Sequence, residues 1–158
     1  MGVSGCGKSS VASALAKATG GAFLDGDDFH PPANKATMAS GIPLSDEERR
    51  GWLDTLNTEL RKRSPANKPV FLACSALGGI HRRRLAEGLP SLRFLYLKGS
   101  KELIRARLAS RTGHFMPPSL LDSQFAALEE PTEDEAVIIP IDRPVDEIVR
   151  EIRRLITR

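Results

Sequence analysis

Gly2-Val3-Ser4-Gly5-Cys6-Gly7-Lys8-Ser9 fits the pattern G-x-x-x-x-G-K-[ST] residue for residue. Glycines at these positions let backbone N–H groups turn inward and approach an anion with no Cβ in the way. In such a loop the main chain cradles a polyphosphate, Lys8 reaches the outer phosphates, and the Ser9 hydroxyl is a ligand for Mg²⁺. Cys6 lies inside this loop near a helix N-terminus. There it is either a thiol whose ionised form is favoured or a small residue filling a small space.

A second constellation follows at Ala22-Phe23-Leu24-Asp25-Gly26-Asp27. An apolar strand that stops at Asp25 puts Asp25 and Asp27 at its C-terminal edge, where ligands bind in open α/β sheets. Carboxylates beside a polyphosphate loop repel its ligand unless a cation or a substrate hydroxyl lies between them, so this pair implies Mg²⁺, a hydroxyl acceptor, or both. Basic residues supply the remaining chemistry. Arg82 stands in an Arg82-Arg83-Arg84 run after a buried strand, and Arg107 and Arg111 are spaced to share one helix face. Like charges so placed oppose each other unless an anion sits between them.

The elements that must carry these residues alternate between strand and helix. Lys8 to Thr19 is Ala-rich and closes on Gly20-Gly21, a helix with its C-terminal signal. Pro31-Pro32 breaks the chain, and a polar stretch follows. Ser45-Asp46-Glu47-Glu48 is a capping box opening a helix whose Leu53, Leu56 and Leu60 form an apolar stripe, with Arg49 and the single Trp52 at its border. Lys68 to Leu77 reads as a continuous buried strand and Leu92 to Leu97 as the next, with Ser100 capping a helix from Lys101. A further helical patch includes Leu121, Gln124 and Phe125. Ala136 to Ile141 is the last strand, with Pro140 marking an edge or an end. The closing helix has the stripe Ile148, Ile152 and Leu155. This order predicts an α/β fold of three layers, a parallel sheet flanked by helices. A phosphate loop normally hangs from a buried central strand, yet only Met1 precedes Gly2, so we expect the first central strand to be truncated, with about 6 to 10 apolar residues upstream.

Composition narrows the function classes. With 158 residues, 41% hydrophobic and 27% charged, the chain suits one domain of ordinary polarity. A net charge of +3 with no basic run interleaved with aromatics points to small anions and away from nucleic acid. No run approaches a membrane span, so no membrane partner is expected and the cytoplasm is the expected compartment. Two cysteines and three histidines give neither a disulfide framework nor zinc spacing.

Together these motifs resemble the gluconokinase family of phosphate-loop small-molecule kinases, related to shikimate and adenylate kinases. The resemblance rests on M-G-V-S-G-C-G-K-S, L-D-G-D-D-F-H-P, N-K-A-T-M-A-S-G-I-P-L-S-D-E-E-R, A-C-S-A-L, L-Y-L-K-G, R-L-A-S-R-T-G-H-F-M-P-P and S-Q-F-A-A-L-E-E-P. It implies phosphate transfer from ATP, with Mg²⁺, to the terminal hydroxyl of D-gluconate. One domain over residues 1–158 would carry a helical substrate flap at about 30–64 and a lid at about 107–120. Gly2 to Ser9 would hold ATP, Ser9 and Asp25 the metal, and Asp27 the substrate hydroxyl proton. His30, Arg49, Trp52, Arg82, His114 and Gln124 would contact the polyol and carboxylate. Arg107 and Arg111 would be lid arginines. A homodimer is implied only by analogy. One departure stands out: where the family has a basic pair, then an aromatic, Arg and Asp, this chain has Gly78-Gly79-Ile80-His81-Arg82, leaving Arg82 as the surviving basic candidate. Another small hydroxylated substrate such as shikimate, or a nucleotide-binding module with impaired catalysis, remain alternatives.

Overall fold

The computed structural model describes residues 1–63, 68–110 and 118–156. In chain order the elements are α1 (Lys8–Thr19), β1 (Ala22–Asp25), a 3₁₀ turn (Gly26–Phe29), α2 (Pro32–Ala39), α3 (Asp46–Arg63), β2 (Val70–Ala73), α4 (Gly79–Ala86), β3 (Phe94–Lys98), α5 (Lys101–Ala109), α6 (Pro118–Ala127), β4 (Ala136–Pro140) and α7 (Val145–Ile156). Strands alternate with helices and every strand pairing is parallel, as the sequence pattern requires. Among the described residues no helix is long and apolar enough to cross a membrane.

The strands form two ladders. β1 pairs with β2 in the register Leu24 to Leu72, and β3 with β4 in the register Tyr96 to Ile138. Met1 and Gly2 join them: the Met1 amino group donates to the Leu95 carbonyl, Leu97 N–H donates back to the Met1 carbonyl, and Gly2 N–H donates to Ser75 O. The loop is thereby anchored to β3 and to the segment just after β2 before its first turn. Burial pushes the Met1 ammonium down to about 6. A cavity of about 110 Å³ lies beside this junction, lined by Met1, Phe71, Leu72, Phe94 and Leu95 among others.

Two apolar clusters hold the helices on the strands. Leu15 of α1, Leu97, Ile139 and the Ile148 and Ile152 face of α7 make one; Leu24, Cys74 and the Trp52, Leu53, Leu56 and Leu60 face of α3 make the other. The α3 stripe is as the sequence spacing predicts. Its capping box is also present, with Ser45 N–H and Oγ both donating to Glu48 and Ser45 Oγ accepting from Glu48 N–H at 3.3 Å.

Three expectations need correction. Pro32 does not end structure but starts α2, because proline's fixed φ and missing N–H suit the first helical position. β2 is shorter than the apolar run that contains it, stopping at Ala73 where the chain turns into a kink with Ala76 at φ 43. In α7, Val149 takes the buried position expected of Leu155, which is exposed in the last turn. Residues 111–117, half of the expected lid at about 107–120, lie outside the described residues.

Leu56 has no exposed surface and bridges α3 to the 3₁₀ turn, touching the space above Gly26. Leu56→Ala is expected to destabilise the fold by about 2 to 5 kcal/mol. Urea unfolding of the variant beside the parent measures it.

Candidate active site

The loop from Gly2 to Lys8 leads straight into α1, whose N-cap is Gly7 in a left-handed conformation, with no side chain capping the helix. No acidic residue occupies its first turn either. An uncapped, uncountered helix N-terminus presents orphan N–H groups and a positive dipole end, which suits an anion. Gly5 has φ +83, and a Cβ there would come within 2.8 Å of Leu108, so the loop leans on α5 as closely as a backbone can. Lys8 Nζ donates to Val3 O at 3.0 Å, a weak carbonyl partner that an outer phosphate would outcompete.

Asp25 ends β1 and faces the start of α1. Its Oδ2 accepts from Ser9 Oγ at 2.7 Å and its Oδ1 from Asp27 N–H at 3.1 Å. One carboxylate therefore fixes the two positions singled out from the sequence, the Ser9 hydroxyl and the turn bearing Asp27. Ser9 and Asp25 together are a hard-oxygen pair of the kind Mg²⁺ takes when phosphates supply other ligands. Among the described residues there is no cluster of three acidic, His or Cys side chains able to hold a metal unaided.

The Asp27 side chain is 88% exposed and 3.9 Å from His30 Nε2. His30 is the reverse, 7% exposed, and stacks on Trp52 with ring centroids 4.1 Å apart. Burial lowers the His30 pKa, Asp27 opposes that, and Lys35 and Arg49 add to it. His30 is thus neutral near pH 7, with its Nδ1 buried and without a hydrogen-bond partner among the described residues. Trp52 is buried, and its Nε1–H donates to Gly26 O at 2.7 Å. Gly26 must be glycine: a Cβ would lie 2.7 Å from Ala73 O and 3.4 Å from Trp52. Trp52 therefore holds the turn beneath Asp27 and is set back from solvent. Arg49 is half-buried, with Nε on Leu44 O at 3.1 Å, which leaves the rest of its guanidinium to meet an anion.

Two expected substrate contacts are occupied otherwise. Arg82 is 5% exposed; its Nη1 donates to Leu77 O and Glu129 O at 3.1 and 3.0 Å and approaches Ala76 O, while its Nη2 pairs with Glu135. It clamps the Ala76 kink to the segment before β4, and its Nε is buried without a hydrogen-bond partner among the described residues. Gln124 of α6 reaches the loop: its Oε1 accepts from Ser4 N–H at 2.6 Å. Arg107 donates to Ile141 O just past β4. Arg111 and His114 lie outside the described residues. Cys6 is 1% exposed within the apolar core, so it fills space, and burial pushes the Cys74 thiol up to about 11.

Some positioning residues were not foreseen. Asn34 on α2 donates to Glu48 O at 2.9 Å, tying α2 to α3. Glu129 Oε2 accepts from Gly79 N–H at 2.9 Å, and a Cβ on Gly79 would meet that oxygen at 3.0 Å. The Gly78-Gly79 departure thus lets a carboxylate seat on the first turn of α4. His81 Nδ1 accepts from Gly78 N–H, so its Nε2–H donates to Asp46 at 2.9 Å and links α4 to the start of α3.

No protein-family model matches the chain. Curated relatives and solved structures do. It is 46% identical over 151 residues to the thermoresistant gluconokinase of Escherichia coli (strain K12), covering 94% of this chain and 86% of that one. A gluconokinase crystal structure from Sinorhizobium meliloti 1021 superposes with a TM-score of 0.87 at 44% identity, covering 98% of this chain and 90% of the other. The chain belongs to the gluconokinase family. An APS kinase from Mycobacterium tuberculosis, at 19% identity and a TM-score of 0.70 over 100% of this chain and 95% of its own, shares the phosphate-loop kinase fold. For a gluconokinase-family chain the local surprise is Arg82, whose setting is that of a clamp.

Arg82→Ala should accordingly lower stability, since each buried partner it strands costs about 1 to 3 kcal/mol. The variant's melting temperature, compared with its gluconate KM, separates this from a ligand role: a large fall in melting temperature with KM within about threefold is expected.

Proposed function

We propose that the chain phosphorylates the terminal hydroxyl of D-gluconate with ATP, giving 6-phospho-D-gluconate and ADP. The observation that supports this most strongly is the Asp25 bridge, which sets an exposed carboxylate, Asp27, beside an uncapped phosphate loop in a chain of the gluconokinase family. Gly2 to Ser9 would receive the phosphates and Lys8 would leave Val3 O for them. The gluconate hydroxyl oxygen attacks phosphorus, its proton passes to Asp27, and the bond to the bridging oxygen of ADP breaks. Arg49 is the cation left to meet the gluconate carboxylate, and neutral His30, with its unpartnered Nδ1, is a site for a polyol hydroxyl. Trp52 serves by holding Gly26.

Ser9 and Asp25 would hold Mg²⁺, which when bound neutralises charge on the transferring phosphate. Arg107 and Arg111 remain proposed lid arginines and His114 a proposed substrate contact, the last two beyond the described residues, in a single domain with its flap around α2 and α3. A cytoplasmic location and a homodimer belong to the same proposal, the second by family analogy alone.

The test is steady-state kinetics with gluconate, glucose and shikimate. Losing a charged partner in a desolvated site costs about 2 to 5 kcal/mol, so gluconate should exceed glucose by well over tenfold in kcat/KM. Arg49→Ala should erase most of that preference. Asp27→Asn should lower kcat by about 10² or more while ATP still binds, and Lys8→Ala should also weaken ATP. Glucose or shikimate used as well as gluconate would rule the proposal out, and an Asp27→Asn variant within tenfold of the parent would remove Asp27 as proton acceptor.

A further inference from the structure

The turn that carries Asp27 is pinned at both ends by one indole. Trp52 Nε1–H donates to Gly26 O at 2.7 Å, and the face of the same ring stacks on His30 with centroids 4.1 Å and planes 15° apart. Within the turn Asp27 N–H donates to Asp25, and Asp27 O accepts from His30 N–H at 3.4 Å. The Asp27 side chain has none of this support. It is 88% exposed, and the only side chain paired with it among the described residues is His30, whose Nε2 lies 3.9 Å from Oδ1. A carboxylate that rotates freely meets a reacting hydroxyl in the right orientation for only part of the time, and phosphoryl transfer depends on position.

His30 supplies a fixed point beside this mobile group. Its side chain is 4% exposed and clamped by the stack on Trp52. Nδ1 is buried without a partner among the described residues, while a carboxylate lies near Nε2, so we assign the proton of the neutral ring to Nε2. A shift of about 1 Å by the exposed Asp27 side chain brings this pair to hydrogen-bond distance. The charged groups acting on the ring come from three elements. Burial lowers its pKa, Asp27 of its own turn opposes that, and Lys35 of α2 and Arg49 of α3 add to the lowering. The ring therefore stays neutral until the pH falls below the ordinary histidine range.

We infer that His30 is a positioning residue for phosphoryl transfer: its neutral Nε2–H holds one Asp27 oxygen and leaves the other to receive the gluconate hydroxyl proton. Protonation of the ring reverses the effect. His30 then becomes a cation beside Asp27, and the ion pair makes the carboxylate a poorer proton acceptor, while Nδ1–H is left buried with no acceptor. Turnover is thus full while the ring is neutral and falls as the pH drops through its pKa. This deepens the reading of Asp27 as proton acceptor, on which it rests, and gives His30 a role besides the polyol contact proposed for Nδ1.

Steady-state kinetics of the full chain across pH, with saturating gluconate, ATP and magnesium chloride, test this. His30→Phe keeps a ring against Trp52 and loses both nitrogens, whereas His30→Gln puts an amide N–H near the Nε2 position and cannot titrate. At about pH 8 the Phe variant should lose about two- to tenfold in kcat, the worth of one orienting hydrogen bond, and the Gln variant should recover most of that loss. Between about pH 8 and about pH 5 the parent's kcat should fall by about threefold or more relative to either variant, because titration of the nucleotide is common to all three. Melting temperatures identify a misfolded Phe variant, in which case the Gln variant decides alone. An acid fall in the variants equal to the parent's overturns the inference. So do variants that differ from the parent only in gluconate KM, which would make His30 a substrate contact alone. A parent chain that does not turn over gluconate, or an Asp27→Asn variant within tenfold of it, would instead remove the reading of the site, and this inference with it.

Discussion

The Asp25 carboxylate is the interaction on which the site depends. Its two oxygens are spent on two different elements, the Ser9 hydroxyl at the head of α1 and the Asp27 amide in the turn after β1. Its own backbone is held in register with Ala73 of β2. The head of α1 and the turn that carries the Asp27 carboxylate are thus fixed relative to one another through a single side chain at the end of a paired strand. Preorganisation of this kind is what phosphoryl transfer needs, because the reaction gains from positioning and charge neutralisation and forms no covalent intermediate on the protein.

Around that bridge, glycine and aromatic packing leave the turn no freedom. The Gly26 carbonyl is taken by Trp52, its missing Cβ makes room for Ala73 O, and the Trp52 ring is covered by His30. α3 carries Trp52 because its apolar face buries Leu53, Leu56 and Leu60 against the same cluster. Hydrophobic burial of one helix face is in this way converted into a fixed position for the turn that carries Asp27. On the other flank Arg82 ties the Ala76 kink to Glu129, and His81 ties α4 to α3 through Asp46. These side chains hold one element to another at the border of the site.

Much of this was legible in the residues. The phosphate loop, the strand ending at Asp25, the capping box of α3 and its leucine stripe all follow from local rules: glycine geometry, period and capping chemistry. What was not legible depends on long-range pairing. Arg82 reads as an anion ligand because an arginine after a central strand often is one, and only the fold shows three carbonyls converging on it. Gln124 and Glu129 meet the loop and α4 across long stretches of chain, so no spacing announces them. Pro31-Pro32 reads as a break, whereas its second proline opens α2. The apolar run from Lys68 to Leu77 gave no sign that pairing stops at Ala73, since buried coil and buried strand share a composition.

If the turn beneath Asp27 is held by the Trp52 indole N–H, removing that one donor should damage turnover more than binding. Trp52→Phe keeps an aromatic ring against His30 and loses only the bond to Gly26 O. Its steady-state kinetics with ATP and gluconate, with melting temperature as a control for folding, are the direct measurement. The account predicts a folded enzyme whose kcat falls by about ten- to a hundredfold while the ATP KM stays within about threefold. A folded Trp52→Phe enzyme with the parent's kcat would contradict it.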